Sequence, residues 1–191
     1  MDIRQFFFKN RSYTPIPLVF ILIYFTQPTF FGILLGLVVI LIGESIRIYA
    51  NRYAGGVTRT TKVGAKKLCT AGPFAYVRNP LYVGNMVIYT GVVLFAGAPS
   101  VIAMMILTWA FFVIQYSLIV SLEEETLRDL FGEEYRVYCT FVPRLLPRLS
   151  AWENNDNRVP ASISKTFKVE KRTLQNIALI LIIILLRSIF F

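Results

Sequence analysis

Histidine does not occur anywhere in the 191 residues. Without an imidazole there is no His general base, no His-ligated zinc and no His-held haem iron. Cysteine is nearly as scarce. Cys69 and Cys139 are far too few for the disulfide framework of a small secreted domain. Charge is thin too: charged residues make up 16% of the chain and hydrophobic ones 55%, against about 25% and roughly 45–50% in ordinary soluble domains. A mean hydropathy of +0.59 excludes a soluble globular domain and a disordered basic chain alike. The first apolar run, around Phe6-Phe7-Phe8, is followed by no small-residue cleavage site, so a removable signal peptide is not expected.

What is present is apolar sequence in long runs with few or no charges, near the ~20 residues a helix needs to cross a bilayer. Five spans are predicted: residues 15–25 (short, and of span length only with its flanks), 29–50, 81–98, 100–122 and 174–191. Tight uncharged turns at Gln27-Pro28 and Gly97-Ala98-Pro99 join the first span to the second and the third to the fourth. The net charge of +9 would suit a nucleic-acid partner, but such a partner would not account for the apolar runs. Nineteen of the twenty Lys and Arg fall in three segments, 4–11, 47–78 and 128–172, that two hairpins and a final span bring to one face. By the positive-inside rule that face is cytoplasmic. The expectation is an all-α, polytopic membrane helix bundle of about five transmembrane helices. It has a membrane core over 1–150, a polar linker over 151–171 and a C-terminal span over 172–191, with the N-terminus cytoplasmic and the C-terminus outside.

Four clusters interrupt this pattern at the cytoplasmic boundary. In residues 68–85, Gly72-Pro73 imposes a turn, while Pro80 disfavours helix at Asn79 and suits the first turn of the next helix. That predicts a helix from about Pro80 with Asn79 as its N-cap. Flanked by Tyr76, Arg78 and Tyr82, such a helix start suits an anionic or polar ligand; the same residues also suit an aromatic belt with a snorkelling arginine. Beyond the fourth span, Glu123-Glu124-Glu125 precede Leu127, Phe131, Tyr135 and Tyr138 at helical spacing. This predicts an amphipathic cytoplasmic helix in which Gly132 marks a break or a close approach. The carboxylates read either as a site or as local helix chemistry: a capping box of Ser121 with Glu124, and an i,i+4 pair of Glu124 with Arg128. Pro143 and Pro147 then hold residues 142–148 extended, with Arg144 and Arg148 within reach of lipid phosphates. Finally, Glu44 and Arg47, three apart late in the second span, read as a structural pair or as the polar wall of a cavity open to the cytoplasm.

Taken together, residues 43–147 resemble the isoprenylcysteine carboxyl methyltransferase and phospholipid methyltransferase family of integral-membrane enzymes, in its bacterial-type branch. The resemblance rests on a family stretch, T-x-G-P-Y-x-Y-x-R-H-P-x-Y-x-G, whose counterpart at residues 70–84 is Thr-Ala-Gly-Pro-Phe-Ala-Tyr-Val-Arg-Asn-Pro-Leu-Tyr-Val-Gly. Two spans later come E-E-x-x-L-x-x-x-F-G-x-x-Y-x-x-Y at 123–138 and V-P-R-x-x-P at 142–147. It implies metal-free methyl transfer from S-adenosylmethionine to a lipophilic acceptor, either a lipid or an isoprenylcysteine-like carboxylate, reached from the membrane lipids. It further implies cofactor contacts at Arg59, Lys66, Lys67, Leu68, Cys69, Gly72, Phe74, Asn79, Pro80, Leu81 and Tyr82. The implied catalytic residues are Arg78, Glu123, Glu124 and Arg144, with Glu123 on the acceptor side. Four positions depart from the pattern: Asn79 replaces the usual histidine, Phe74 the usual tyrosine, Lys66 a histidine of the eukaryotic branch, and Ile119 an arginine that the eukaryotic branch uses for its acceptor.

The chemistry suits these residue types. In-line displacement at a sulfonium methyl needs little covalent help, and positioning alone can supply ~7–11 kcal/mol. Tyrosine faces can hold a cation, and an arginine can fork onto a carboxylate. Two other functions remain open from the residues: an NADPH-dependent membrane reductase of the sterol-reductase type, and a non-catalytic scaffold or small transporter.

Overall fold

The computed structural model describes residues 2–55, 63–65 and 67–190. Arg59 and Lys66, both expected at the cofactor, lie outside the described residues. Regular structure among the described residues is entirely helical: α1 Ile3–Asn10, α2 Ile16–Tyr24, α3 Phe30–Ala54, a single 3-10 turn Gly72–Ala75, α4 Pro80–Ala96, α5 Val101–Phe141 and α6 Ile163–Phe190.

Helices α3, α5 and α6 are long and apolar enough to cross a membrane. Their outward faces carry Leu34, Leu41, Ile102, Ile106, Ile114 and Leu179, all more than half exposed, as expected where lipid rather than water is the solvent. α4 is shorter, with 17 residues. The first predicted span is the nine-residue α2, about 14 Å long against a hydrocarbon core of ~30 Å. Prolines explain its length. Pro15 sits at its N-cap, and the chain leaves helix after Tyr24 toward Gln27-Pro28. There the Gln27 N–H and the Thr26 hydroxyl both donate to the Ala96 carbonyl at the end of α4.

The bundle is built on α3 against α4, and glycine decides how closely they approach. Gly36 and Gly43 of α3 face Gly91 and Gly84 of α4. A Cβ on Gly36 would lie 2.6 Å from the Gly91 carbonyl oxygen, and one on Gly91 would lie 2.7 Å from that of Gly36. No side chain fits between two backbones at that separation. Gly91→Val is therefore expected to cost about 1–3 kcal/mol or more by forcing the helices apart, seen as a lowered unfolding midpoint in detergent.

α6 begins at Ile163, so the expected linker over 151–171 ends nine residues early, and residues 163–171 are helix. The reason is a buried anchor. Glu170 is fully buried and receives the Arg47 guanidinium at 2.8 Å and the Asn51 side-chain amide. Arg47 in turn pairs with Glu44 at 3.6 Å. At the start of α6, the Ala161 N–H donates to the Arg52 carbonyl and Arg52 Nε to the Ala161 carbonyl, tying α6 to the end of α3.

Candidate active site

Gly72 adopts φ +59°, and a Cβ there would lie 2.6 Å from the Tyr53 ring. The chain turns beneath that ring, makes its 3-10 turn and enters α4 at Pro80. Asn79 occupies the N-cap position but makes no capping bond. Its amide donates instead to the Arg144 carbonyl at 3.0 Å. Segment 142–152, with Pro143 and Pro147, runs back along this loop. The Arg78 N–H bonds to the Pro143 carbonyl, Arg148 N–H to Tyr76, and Trp152 N–H to Ala75. Arg148 is thus held by backbone, and its guanidinium donates to the Phe141 carbonyl.

The second block meets the first through Glu124, which is 2% exposed. Arg78 reaches it at 2.8 Å, Arg144 at 2.5 Å and Arg128 at 3.6 Å. The capping-box expectation fails here, because α5 is continuous through the region and the Ser121 hydroxyl donates to the Leu118 carbonyl. The pair of Glu124 with Arg128 is present. Arg78 also donates to the carbonyls of Cys139 at 3.1 Å and Val142 at 2.7 Å, so one guanidinium fastens both blocks together. Such contact requires α5 to bend. Gly132 supplies the bend at φ +50° and ψ −119°, which side chains rarely adopt. Beyond it, the Tyr138 hydroxyl donates to the Phe74 carbonyl at 2.7 Å.

Glu123 points the other way. It accepts from the Tyr82 hydroxyl at 3.0 Å. The Tyr82 ring stacks on Tyr116, with centroids 4.5 Å apart, and Asn85 bridges the Tyr116 hydroxyl to Arg47. Tyr82 and Glu123 both line a cavity of about 710 Å³. Toward the loops that carry the two motif blocks its wall is polar and aromatic, with Lys67, Phe74, Arg78, Asn79, Tyr135, Tyr138 and Arg158; between the helices it is apolar, with Ile88, Val92, Phe112, Ile177 and Ile180. Glu44 does not line the cavity, whereas Arg47 does.

Of the residues expected at the cofactor, Lys67, Leu68, Cys69, Phe74, Asn79, Pro80, Leu81 and Tyr82 all face this cavity. Gly72 does not; it acts through the turn. Arg78, Glu123 and Glu124 line the cavity, and Arg144 stands behind them on Glu124. Burial pushes the Cys69 thiol up to about 11, so it stays protonated at neutral pH and is no nucleophile.

Residues 152–158, expected only as part of a linker, also build the site. Trp152 stacks on Phe141 with centroids 5.5 Å apart. Asp156 accepts from the Thr70 N–H at 3.0 Å and pairs with Arg158 at 2.9 Å. Burial raises the Asp156 carboxyl, but the Thr70 N–H and Arg158 outweigh it and hold the group below the ordinary carboxylate range. Arg158 also reaches the Leu68 and Tyr53 carbonyls and lines the cavity. A tryptophan inside a polar, turn-rich run was the one available signal.

The sequence model of the phospholipid methyltransferase family matches residues 30–134. The chain is 34% identical over 117 residues to a probable protein-S-isoprenylcysteine O-methyltransferase of Oryza sativa subsp. indica, covering 59% of each chain. It is 32% identical over 117 residues to protein-S-isoprenylcysteine O-methyltransferase B of Arabidopsis thaliana, covering 59% of this chain and 57% of that one. With the corresponding protein of Xenopus laevis it shares 31% over 118 residues, 59% of this chain and 40% of that one. The matches thus span less than two thirds of these relatives. No solved structure matches. The family match takes in more than half of the sequence and includes both sides of the Tyr82–Glu123 contact: the chain belongs to the phospholipid methyltransferase family.

Proposed function

We propose that the protein is an S-adenosylmethionine-dependent methyltransferase acting on a lipophilic acceptor at the cytoplasmic face of a membrane. One observation carries the reading: a single cavity is polar and aromatic where the two motif blocks meet and apolar between the helices, with Tyr82 and Glu123 on its wall. Its volume, about 710 Å³, falls within the ~300–1,000 Å³ usual for cofactor and small-molecule sites.

The residues fit the cofactor. Tyr82, Tyr135, Tyr138 and Phe74 offer ring faces to a cation, and Lys67 and Arg158 offer positive charge to a carboxylate. When bound, S-adenosylmethionine supplies an electrophilic methyl group on a sulfonium. The chain's own work is positioning. Arg78 and Glu124 hold the two blocks at fixed separation. Tyr82 orients Glu123, which can accept a hydrogen bond or a proton from the acceptor. The apolar wall keeps water from the reacting atoms.

Full-length protein in lipid nanodiscs, titrated with S-adenosylmethionine and separately with NADPH, is expected to show saturable heat with the first and none with the second. A membrane-lipid extract incubated with radiolabelled S-adenosylmethionine and enzyme is expected to acquire label in a discrete lipid band. Binding of NADPH alone would overturn the proposal in favour of a reductase, and binding of neither in favour of a scaffold.

A further inference from the structure

Asn85 has one arrangement open to it. Arg47 Nη1 donates to its side-chain oxygen at 2.6 Å, and a guanidinium carries donors only. The amide nitrogen therefore faces the other way, and it donates to the Tyr116 hydroxyl oxygen at 3.0 Å. That nitrogen cannot accept in return, so the Tyr116 proton points elsewhere. No acceptor for it occurs among the described residues. Tyr116 is 3% exposed and lines the cavity, as Asn85 does. A donor buried in a membrane protein is costly unless something accepts from it, and the cavity is the open side that Tyr116 borders.

Arg47 is itself held from behind. Its stem passes Gly84, where a Cβ would lie 2.6 Å from Arg47 Cγ. Its Nη2 donates to the two oxygens of Glu170 at 2.9 and 2.8 Å. Glu170 is fully buried, does not line the cavity and belongs to α6, outside the family match over 30–134. The contacts thus run from Glu170 to Arg47, Asn85 and Tyr116, one residue from each of α6, α3, α4 and α5. At their far end the Tyr116 ring stacks on Tyr82, which orients Glu123. Tyr116 and Glu123 are seven residues apart on α5, on one face and about 10.5 Å apart along the axis. Glu123 accepts where the wall is polar. Tyr116 donates where it turns apolar, beside Asn85, with Ile88 one turn on.

We infer that the Tyr116 hydroxyl is a hydrogen-bond donor to the methyl acceptor, reading a lone-pair atom just inside its headgroup, and that Glu170 of α6 is a positioning residue acting through Arg47 and Asn85. The contact needs no charge on the acceptor. It rests on the cavity proposed above, but its test does not depend on methyl transfer. The probe is hexadecanenitrile, whose nitrogen accepts hydrogen bonds and donates none. Its C≡N stretching band moves to higher frequency when the nitrogen accepts, and is read by infrared difference spectroscopy on the full chain in lipid nanodiscs, with empty nanodiscs subtracted.

The parent is expected to add a high-frequency component that saturates with probe. Tyr116→Phe keeps the ring on Tyr82 and should remove that component. Asn85→Asp keeps the shape and the Arg47 contact, but beside a guanidinium the carboxylate only accepts. The Tyr116 proton then turns onto it, and the component should be lost although the hydroxyl remains. Glu170→Gln, distant from the cavity, should weaken it. Tyr89→Phe removes another phenol of the same wall, one with no hydrogen-bond partner to orient it among the described residues, and should leave it in place. No component in the parent, or its survival in Tyr116→Phe, would overturn the donor. Survival in Asn85→Asp or full strength in Glu170→Gln would overturn the relay, and loss in Tyr89→Phe alone would give the bond to another hydroxyl. S-adenosylmethionine titration of the same samples separates this from the reading it rests on. A parent that shows the component without binding the cofactor sinks the methyltransferase reading alone; one that binds the cofactor without the component sinks the donor alone.

Discussion

Replacing Arg78 by alanine is expected to weaken S-adenosylmethionine binding by about 100-fold or more, with the protein still inserted in the membrane. The side chain donates to Glu124, to the Cys139 carbonyl and to the Val142 carbonyl. Alanine leaves two carbonyls short of a donor and Glu124, 2% exposed, with one close arginine fewer. Breaking a buried pair in this way costs about 3–5 kcal/mol, and part of that cost is relieved when 139–142 draw away from the loop at 78. The cavity is lost with that contact. Arg78→Lys keeps the charge but not the planar fork, and should recover only part of the affinity. Calorimetric titration of parent, alanine and lysine variants, with a thermal melt of each, is the measurement. Unchanged affinity in Arg78→Ala would mean that the two blocks do not need this bolt.

Glu123→Gln should act on turnover instead. Glutamine keeps the shape and can still accept from the Tyr82 hydroxyl, so cofactor affinity is expected to stay within a few-fold. The variant loses the negative charge and the ability to take a proton, an effect worth ~10²–10⁴ in rate where a positioned base matters. Tyr82→Phe removes the orienting hydrogen bond at 3.0 Å but keeps the ring on Tyr116, and should cost less than Glu123→Gln. Single-turnover label transfer to membrane-lipid extract, with cofactor saturating, separates the chemical step from binding. A Glu123→Gln enzyme as fast as the parent would remove Glu123 from the reaction.

The helical class, the α3, α5 and α6 spans and the helix start at Pro80 were legible because each depends on local composition or on a backbone restriction proline imposes. The break at Gly132 was legible for a related reason: a glycine inside a helical pattern flags a conformation other residues avoid, though not which one. Where local rules had two solutions, the residues could not choose. Asn79 was suited to cap α4 and instead bonds the Arg144 carbonyl. Glu124 was suited to a capping box with Ser121 and instead gathers Arg78, Arg144 and Arg128. In both cases the partner that won lies far off in sequence, and its presence depends on segment 142–152 folding back along 75–78.

Residues 151–171 show the same division. Polar, turn-rich composition reads as linker whether or not something lies beneath it, and here Tyr53, Leu68 and Thr70 lie beneath it. Hydropathy and proline act within a few residues of themselves, so a membrane helix bundle with two motif blocks on one face can be read directly from the chain. It takes the folded molecule to bring Arg78 and Arg144 onto Glu124 and Tyr82 onto Glu123, and to complete the cavity wall with α1 and α6. Those outcomes turn on which distant groups come within hydrogen-bonding reach, and no local pattern encodes that distance.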